Sequence, residues 1–391
     1  MDEFFLANAA TREAAAVAKA ATESTPALPT LKEYYSRRFE KRLRLKVRPS
    51  TLEIYENAFE NHLFPALLPV NPYSEDSPLR PLGEFRLDEL KRSHMTALVE
   101  SLMNKKMSRV LNLIEENADG TTTKTKKPVE FKLSRPSLRI ILSALTTCLT
   151  NAQREDGLIP TNPALALGQF TVNAKNRHEG IDPLTLEEVP VFLQALRQVA
   201  PGFVPMFTVL IHCGLRSGEA AGLTWGDVDF KNRYLYIRQT WTPAGRLEKP
   251  KNGKERKVDL SDAAIASLEA HRVKLQKGYL KEGEAMPDWV FPNSDGKPFN
   301  MTNVRNRVFH VVLKKAGLHR RPLHSTRHTF ATLLLNQGEF PVYVKEQMGH
   351  SSIKVTVDTY GKWIRTDDRR AVNKLPSIDS KVAATAAAAT F

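Results

Sequence analysis

The sequence predicts an α+β chain dominated by helices, with a helical N-terminal domain followed by a mixed domain that carries a small antiparallel sheet. Three observations lead there. Apolar residues recur at helical spacing from Thr30 to about Pro163. The texture then changes near Asp182, beyond which Tyr234-Leu235-Tyr236-Ile237 and Lys257-Val258-Asp259-Leu260 alternate as strands do, with helical patterns on either side. Finally, 391 residues are enough for two or three domains at roughly 150 residues each. The reading divides the chain into a flexible tail (1-28), a helical domain (29-170), a mixed domain (180-375) and a C-terminal tail (376-391).

Each element has a local reason. Residues 1 to 28 are rich in Ala with scattered Thr and Glu, closed by Pro26 and Pro29, which suits a frayed helix or tail. Ser50 and Glu53 have the spacing of a capping box, and Leu52, Tyr55, Phe59 and Leu63 follow on one face. A second helix runs from about Ser137, with Leu138, Ile141, Leu142, Leu145 and Leu149 as its stripe, and stops near Gly157 before Pro160 and Pro163. Between these two, Asp119-Gly120-Thr121 through Lys127-Pro128 is polar and punctuated, and reads as an exposed loop inserted into a bundle. In the mixed domain, Phe203, Phe207, Leu210 and Ile211 lie at helical spacing and lead into Gly214 and Arg216. Asn252-Gly253 lies between the two strands as a hairpin signal, directly after Lys251. Further helical patterns span Ala263 to Leu275, Val304 to Lys315 and His324 to Asn336, the last ended by Gly338. A short helix then opens at Pro341, in the first-turn position that proline favours, and finishes before Gly349.

Composition narrows the partners. Lys+Arg 57 against Asp+Glu 43 leaves a net charge of +14, which suits a polyanion, because basic surfaces gain affinity for phosphates through counterion release. Charge alone does not separate DNA from RNA or an anionic membrane. No segment reaches the roughly 18 uninterrupted apolar residues of a membrane span, and the N-terminus opens on Asp2 and Glu3 in place of a basic signal-peptide flank. A cytoplasmic location without membrane association is expected. The two cysteines, Cys148 and Cys213, sit in apolar helical patterns and read as small core residues, too few for a disulfide framework or a cysteine metal site.

The chemistry-bearing residues cluster late in the chain. Breaking a phosphodiester by in-line displacement needs an oxygen nucleophile, cations on the non-bridging oxygens and an acid for the departing alkoxide. Arg216, in Gly214-Leu215-Arg216-Ser217-Gly218-Glu219, and Arg327, in His324-Ser325-Thr326-Arg327, offer planar forks that hold phosphate oxygens bidentately. His324 and Arg327 stand three apart in a helical pattern and so share a face. Lys251 beside its turn is free to act as proton donor. His350 follows Gly349 at a helix end, and Tyr360 in Asp358-Thr359-Tyr360-Gly361 is the candidate nucleophile, although a phenol with a pKa of about 10 needs help from its neighbours.

In this order Arg216, Lys251, His324-x-x-Arg327, Gly349-His350-Ser351-Ser352 and Asp358-Thr359-Tyr360-Gly361 resemble the tyrosine recombinase (phage integrase) family. Arg48-Pro49-Ser50-Thr51-Leu52 and Gly157-Leu158-Ile159-Pro160-Thr161-Asn162-Pro163 are similar to the two ends of that family's helical, SAM-like core-binding domain. The resemblance implies a site-specific recombinase of a phage or mobile element in a bacterial host. Tyr360 would attack the scissile phosphate, leaving a 3′-phosphotyrosine and a free 5′-hydroxyl. Arg216 and Arg327 would bind the phosphate, Lys251 would be the general acid, His324 would assist proton transfer and His350 would stabilise the pentavalent transition state. It implies no metal and no organic cofactor. As partners it implies double-stranded DNA attachment sites and a homotetramer that exchanges strands through a Holliday junction, with room for an accessory DNA-bending or directionality protein. An arm-binding sheet domain is not supported by residues 1 to 28, which show no strand alternation.

Other readings stand beside these. His324 and His328, four apart, have the spacing of a helical metal pair, but no Glu follows His324 directly and no third ligand is evident. His328 is therefore read as a packing or supporting residue. The run Arg37, Arg38, Lys41, Arg42, Arg44, Lys46 and Arg48 is either a solvated face or a track for a phosphate backbone. Competing functions are a recombinase that resolves chromosome or plasmid dimers, a type IB topoisomerase, and a DNA-binding regulator that keeps the fold without cleaving.

Overall fold

A computed structural model describes residues 27–116, 122–171, 181–250 and 253–364. Apart from Ala27 and Leu28, the expected tail 1-28 lies outside the described residues, as does the whole of 376-391. The chain divides into two compact units, Met1–Arg177 and His178–Phe391.

The first unit opens with helix α1 (Leu31–Tyr34), started by a reciprocal cap in which Glu33 N donates to Thr30 Oγ1 at 3.2 Å and Thr30 N to Glu33 Oε2 at 3.0 Å. It passes through a π-helical turn, Tyr35–Phe39, into α2 (Glu40–Lys46). Helix α3 (Pro49–Ala58) follows and continues into a second π-helical turn, Phe59–Leu63. The capping box expected at Ser50 and Glu53 does not start this helix. Pro49, with φ pre-set and no N–H to satisfy, takes the first turn, so Arg48 is the capping position and Ser50 lies inside. The expected apolar stripe does form, with Leu52, Phe59 and Leu63 buried and Tyr55 packed against them. Tyr35, Phe39, Phe59 and Phe64 make an aromatic centre, the Tyr35 and Phe59 rings lying 4.3 Å apart.

Strands β1 (Leu67–Pro69) and β2 (Leu79–Pro81) form a short antiparallel ladder ahead of α4 (Arg92–Asn104). The described part of the polar stretch expected to be an inserted loop, Thr122 to Pro128, in fact belongs to one strand of a long hairpin. Strands β3 (Lys106–Glu116) and β4 (Thr122–Lys132) pair antiparallel from Lys106↔Lys132 to Glu116↔Thr122. The reason is visible in the strands. Val110, Leu111, Leu113, Ile114, Val129, Phe131 and a Thr-rich run are strand formers, and their summed β propensity along the two strands outweighs the polar lysines that suggest a loop. The unit is thus not purely helical, and Asp119-Gly120 lies outside the described residues.

Helix α5 (Arg135–Arg154) crosses the unit, capped by Ser134, whose Oγ accepts from Ser137 N at 3.3 Å. It starts two residues before the expected Ser137, and its stripe Leu138, Ile141, Leu142, Leu145 and Leu149 is buried as its spacing requires. Left-handed Gly157 (φ +61°) then turns the chain. Four members of the basic run pair with acids of the same unit: Arg42 grips Asp156 with two nitrogens at 3.0 and 3.1 Å, Arg38 approaches it at 3.7 Å, Arg44 holds Glu40 and Glu56, and Arg37 meets Glu33. At these four the basic residues are tied down within the fold.

The second unit packs α6 (Glu188–Val199) and α7 (Val204–His212) around the rings of Phe192, Phe207 and Phe309, the last two stacked at 5.8 Å. After the short α8 (Ser217–Ala221) comes a three-stranded sheet in the order β5 (Val228–Asp229), β6 (Tyr234–Ile237), β9 (Arg256–Asp259). Strands β6 and β9 pair antiparallel as expected, but not through a two-residue Asn252-Gly253 turn. A second ladder, β7 (Thr240–Trp241) with β8 (Leu247–Glu248), lies between them in the chain. Gly253 is left-handed (φ +67°) and donates to Pro250 O at 2.7 Å, while Lys251 and Asn252 lie outside the described residues.

Helix α9 (Asp262–Glu282) runs seven residues beyond the expected Leu275, because its exposed second half lacks an apolar stripe and ends only at left-handed Gly283. The pattern from Val304 to Lys315 resolves into α10 (Met301–Val304), a π-helical turn and α11 (His310–Lys315). Helices α12 (Ser325–Asn336), α13 (Pro341–Met348) and α14 (Ile353–Tyr360) complete the unit, with left-handed Gly338 and Gly349 at the expected stops. Among the described residues no helix is long and apolar enough to cross a membrane, and no cluster of three metal-ligating side chains occurs.

Candidate active site

Two buried elements set the site. Gly214 turns left-handed (φ +60°) at the end of α7, which aims its carbonyl inward and places Arg216 at the cap of α8. Helix α12 presents Arg327, only 1% exposed, into the same region, where Nη1 donates to Gly214 O at 2.6 Å and Nη2 to Met348 O. Arg327 thus knits together the Arg216 turn and the end of α13. Burial, then the charges of Arg216 and Arg256, bring its pKa down to about 9, so it remains a cation at neutral pH.

Arg216 is partly exposed, and its Nη1 donates to Glu219 Oε1 at 2.8 Å. Glu219 is 1% exposed and receives Arg256 from β9 as well, Nη1 at 3.0 Å and Nη2 at 2.7 Å. Burial alone would raise this carboxyl, but the hydrogen bonds and charge of Arg256, with the charge of Arg216, carry it down to about 2. One carboxylate therefore sits among three guanidiniums, and the pocket stays cationic.

Tyr360 closes α14 with its side chain 2% exposed. Its hydroxyl lies 2.8 Å from His328 Nδ1, and the His350 ring stacks on it at 6.2 Å with an 8° interplanar angle. His324 meets His328 edge to face at 4.8 Å, and His350 Nδ1 contacts Thr356 Oγ1 at 2.9 Å. Burial raises Tyr360 to about 12, against the pull of Arg327 and Arg216. Burial and the neighbouring positive charges press His328 and His350 down to about 4. The imidazoles are neutral at pH 7, so His328 can accept the phenolic proton as a hydrogen bond.

The structure thus gathers five of the six candidate residues, Arg216, His324, Arg327, His350 and Tyr360, in one unit, while Lys251 is outside the described residues. His328, expected to be a packing or supporting residue, touches the Tyr360 hydroxyl. Two partners escaped the sequence reading. Glu219 carried a faint signal as an acid three residues after Arg216, and Arg256 only the inward phase of a strand.

Residues 183–363 match the phage integrase family. These residues form a phage integrase family domain. Its curated relatives include the prophage integrase IntR of Escherichia coli (strain K12), 27% identical over 275 residues that cover 66% of this chain and 65% of that protein. The ICEBs1 integrase of Bacillus subtilis (strain 168) is 25% identical over 257 residues, 64% of this chain and 68% of that protein. For IntR, the putative defective protein IntQ of the same strain and a XerC-like tyrosine recombinase of Caldanaerobacter subterraneus subsp. tengcongensis, the matched shares are 65%, 55% and 54% of the relative. The chain therefore spans about half to two thirds of the curated relatives it matches. Among solved structures, the Tn1549 transposon integrase in complex with transposon right end DNA is 21% identical with a TM-score of 0.61, covering 92% of this chain and 100% of that one. A lambda integrase dimer bound to a COC′ core site is 18% identical with a TM-score of 0.54, covering 83% of this chain and 97% of that one. The integrase-family domain and the helical unit before it have the fold of the tyrosine integrases.

Proposed function

We propose that this chain is a site-specific DNA recombinase of a phage or other mobile element, acting through Tyr360. The observation that carries the reading is the packing of Tyr360 against His328 and His350 beside the Arg216 and Arg327 guanidiniums within one unit. Arg216 and Arg327 hold the non-bridging oxygens of the scissile phosphate. The Tyr360 hydroxyl gives its proton to the neutral His328 imidazole 2.8 Å away as its oxygen attacks phosphorus in line, the bond to the 5′ oxygen breaks, and Lys251 supplies the proton that leaves with it as a 5′-hydroxyl. The new 3′-phosphotyrosine keeps the ester's energy, so rejoining needs no nucleotide. His324 assists proton transfer and His350 steadies the charge that builds on the pentavalent phosphorus. Because metal-like charge is supplied by guanidiniums, the reaction draws on no metal or organic cofactor.

The helical first unit serves as the core-binding domain and the second as the catalytic domain, and recombination joins two DNA sites through a homotetramer and a Holliday junction. Support for DNA as partner comes from the +14 net charge and from the DNA complexes of the Tn1549 and lambda integrases. An accessory DNA-bending or directionality protein is part of the same proposal.

The test is covalent capture. Duplexes taken from the DNA flanking the coding gene, nicked next to the cleavage position so that the released piece diffuses away, should give a protein–DNA adduct with the wild type and none with Tyr360→Phe. An adduct that persists in Tyr360→Phe refutes the assignment. Tight, salt-sensitive binding without any nicking points to a non-cleaving regulator, and relaxation of supercoils without site dependence to a topoisomerase.

A further inference from the structure

Arg256 is the first residue of β9, its side chain is 10% exposed, and each of its three guanidinium nitrogens is hydrogen-bonded within the fold. Two hold Glu219 and the third, Nε, donates to Gln347 O at 2.9 Å. Its stem also crosses Gly349 so closely that a Cβ there would meet Arg256 Cδ at 2.8 Å. The same strand is fastened again three residues on, where Asp259 N donates to Gln347 Oε1 at 2.8 Å and Gln347 Nε2 to Asp259 Oδ2 at 3.1 Å. One guanidinium therefore joins α8, whose cap is Arg216, to the last turn of α13, which runs into Gly349 and His350, and to the strand that follows the Lys251 segment.

Glu219 makes this arrangement matter. Its Oε1 takes Arg216 Nη1, while its Oε2 takes Arg216 N at 2.9 Å and Arg256 Nη2. Carboxylates favour parallel two-point contacts with a guanidinium. Without Arg256 the freed carboxylate would draw the Arg216 fork into such a pair and leave less of it for a phosphate.

Resting on the DNA-cleaving reading above, we propose that Arg256 is a positioning residue that touches no DNA: it saturates Glu219 and anchors the Gln347 carbonyl, so that the Arg216 fork stays directed at the scissile phosphate and the His350 turn stays in place. Its action runs through the phosphate clamp and not through the proton donor.

The experiment compares single-turnover adduct formation on two versions of one flanking-DNA duplex. One has the ordinary phosphodiester, and the other carries sulfur in place of the 5′ bridging oxygen, whose thiolate departs without a proton. In Arg256→Lys and Arg256→Gln the rate should fall about 100-fold on both probes, the scale expected for losing one aligned electrostatic contact, with duplex affinity within about threefold of wild type. Adding Glu219→Gln to Arg256→Gln should recover at least about tenfold, because the neutral amide no longer competes for Arg216. Wild-type rates in both variants overturn the inference, as does full rescue by the sulfur probe, which would move the effect to the acid. If Arg256→Gln fails to fold, Arg256→Lys decides, and loss of affinity in that variant parallel to loss of rate overturns positioning in favour of a purely structural role. A wild type that forms no adduct on either probe overturns the DNA-cleaving reading itself, whereas wild-type adduct with unaffected variants overturns only the role of Arg256.

Discussion

Gly214 shows how one residue governs the clamp. At φ +60° only glycine sits without strain, and an added Cβ would stand 2.3 Å from Phe330 Cδ1. Its carbonyl is also the acceptor of Arg327 Nη1. Gly214→Ala should therefore cost about 2–4 kcal/mol, left-handed strain and ring overlap together, read as a lower urea midpoint, with adduct formation falling as well. A different test belongs to the histidines. His328 and His350 have folded pKa values of about 4, below the ordinary 6.5, so the unfolded chain binds protons first as pH drops. Their contribution is fully present above about pH 6.5 and is lost as pH falls through the folded values. Thermal melting between pH 7 and 4 should decline less steeply in His328→Ala than in the wild type. An equally steep decline would show that His328 is not one of the groups responsible. In sequence, Arg216, His324, Arg327, His350 and Tyr360 were legible because each lies in a short motif. Arg256, 37 residues from Glu219 and 91 from Gln347, was not, because its partners meet it only through the fold.

At the scale of elements, α5 and the β3–β4 hairpin are opposites. Helix α5 buries its whole stripe, Leu145 fully, and Leu145→Ala should cost about 2–5 kcal/mol in a chemical denaturation experiment. Among the described side chains of the hairpin none is buried, so replacing residues 106–132 by a short polar linker should shift the melting temperature by no more than about 4 °C. A larger fall would mean that the hairpin supports the core. Helical stripes were readable because a 3.6-residue period survives in one strand of sequence. The hairpin was not, since its stability comes from residues up to 26 positions apart facing each other, a relation no local window contains.

For the whole molecule, the +14 charge sets the expected ionic response. Counterion release predicts that affinity for duplex DNA drops on the order of 10³-fold between 50 and 200 mM salt if six or more phosphates are contacted, measurable by anisotropy titration. A flat response would remove the polyanion argument. The two units have separate apolar cores, one centred on Tyr35 and Phe59 and the other on Phe192, Phe207 and Phe309, in keeping with the compositional break near Asp182.

The sequence by itself determined the helical stripes, the stops at Gly157, Gly338 and Gly349, the strand patterns at Tyr234–Ile237 and Lys257–Leu260 with their antiparallel partnership, and the order of residues able to handle a phosphate. These depend on backbone propensity, periodicity and residue chemistry, all carried by neighbours along the chain. Tertiary structure alone decided that Tyr360 rests on His328, that Glu219 is shared by Arg216 and Arg256, and that the lysine-rich insertion is a ribbon. Those outcomes turn on burial and on charges converging from distant segments, where loss of water makes a single carboxylate or imidazole respond to every cation packed around it.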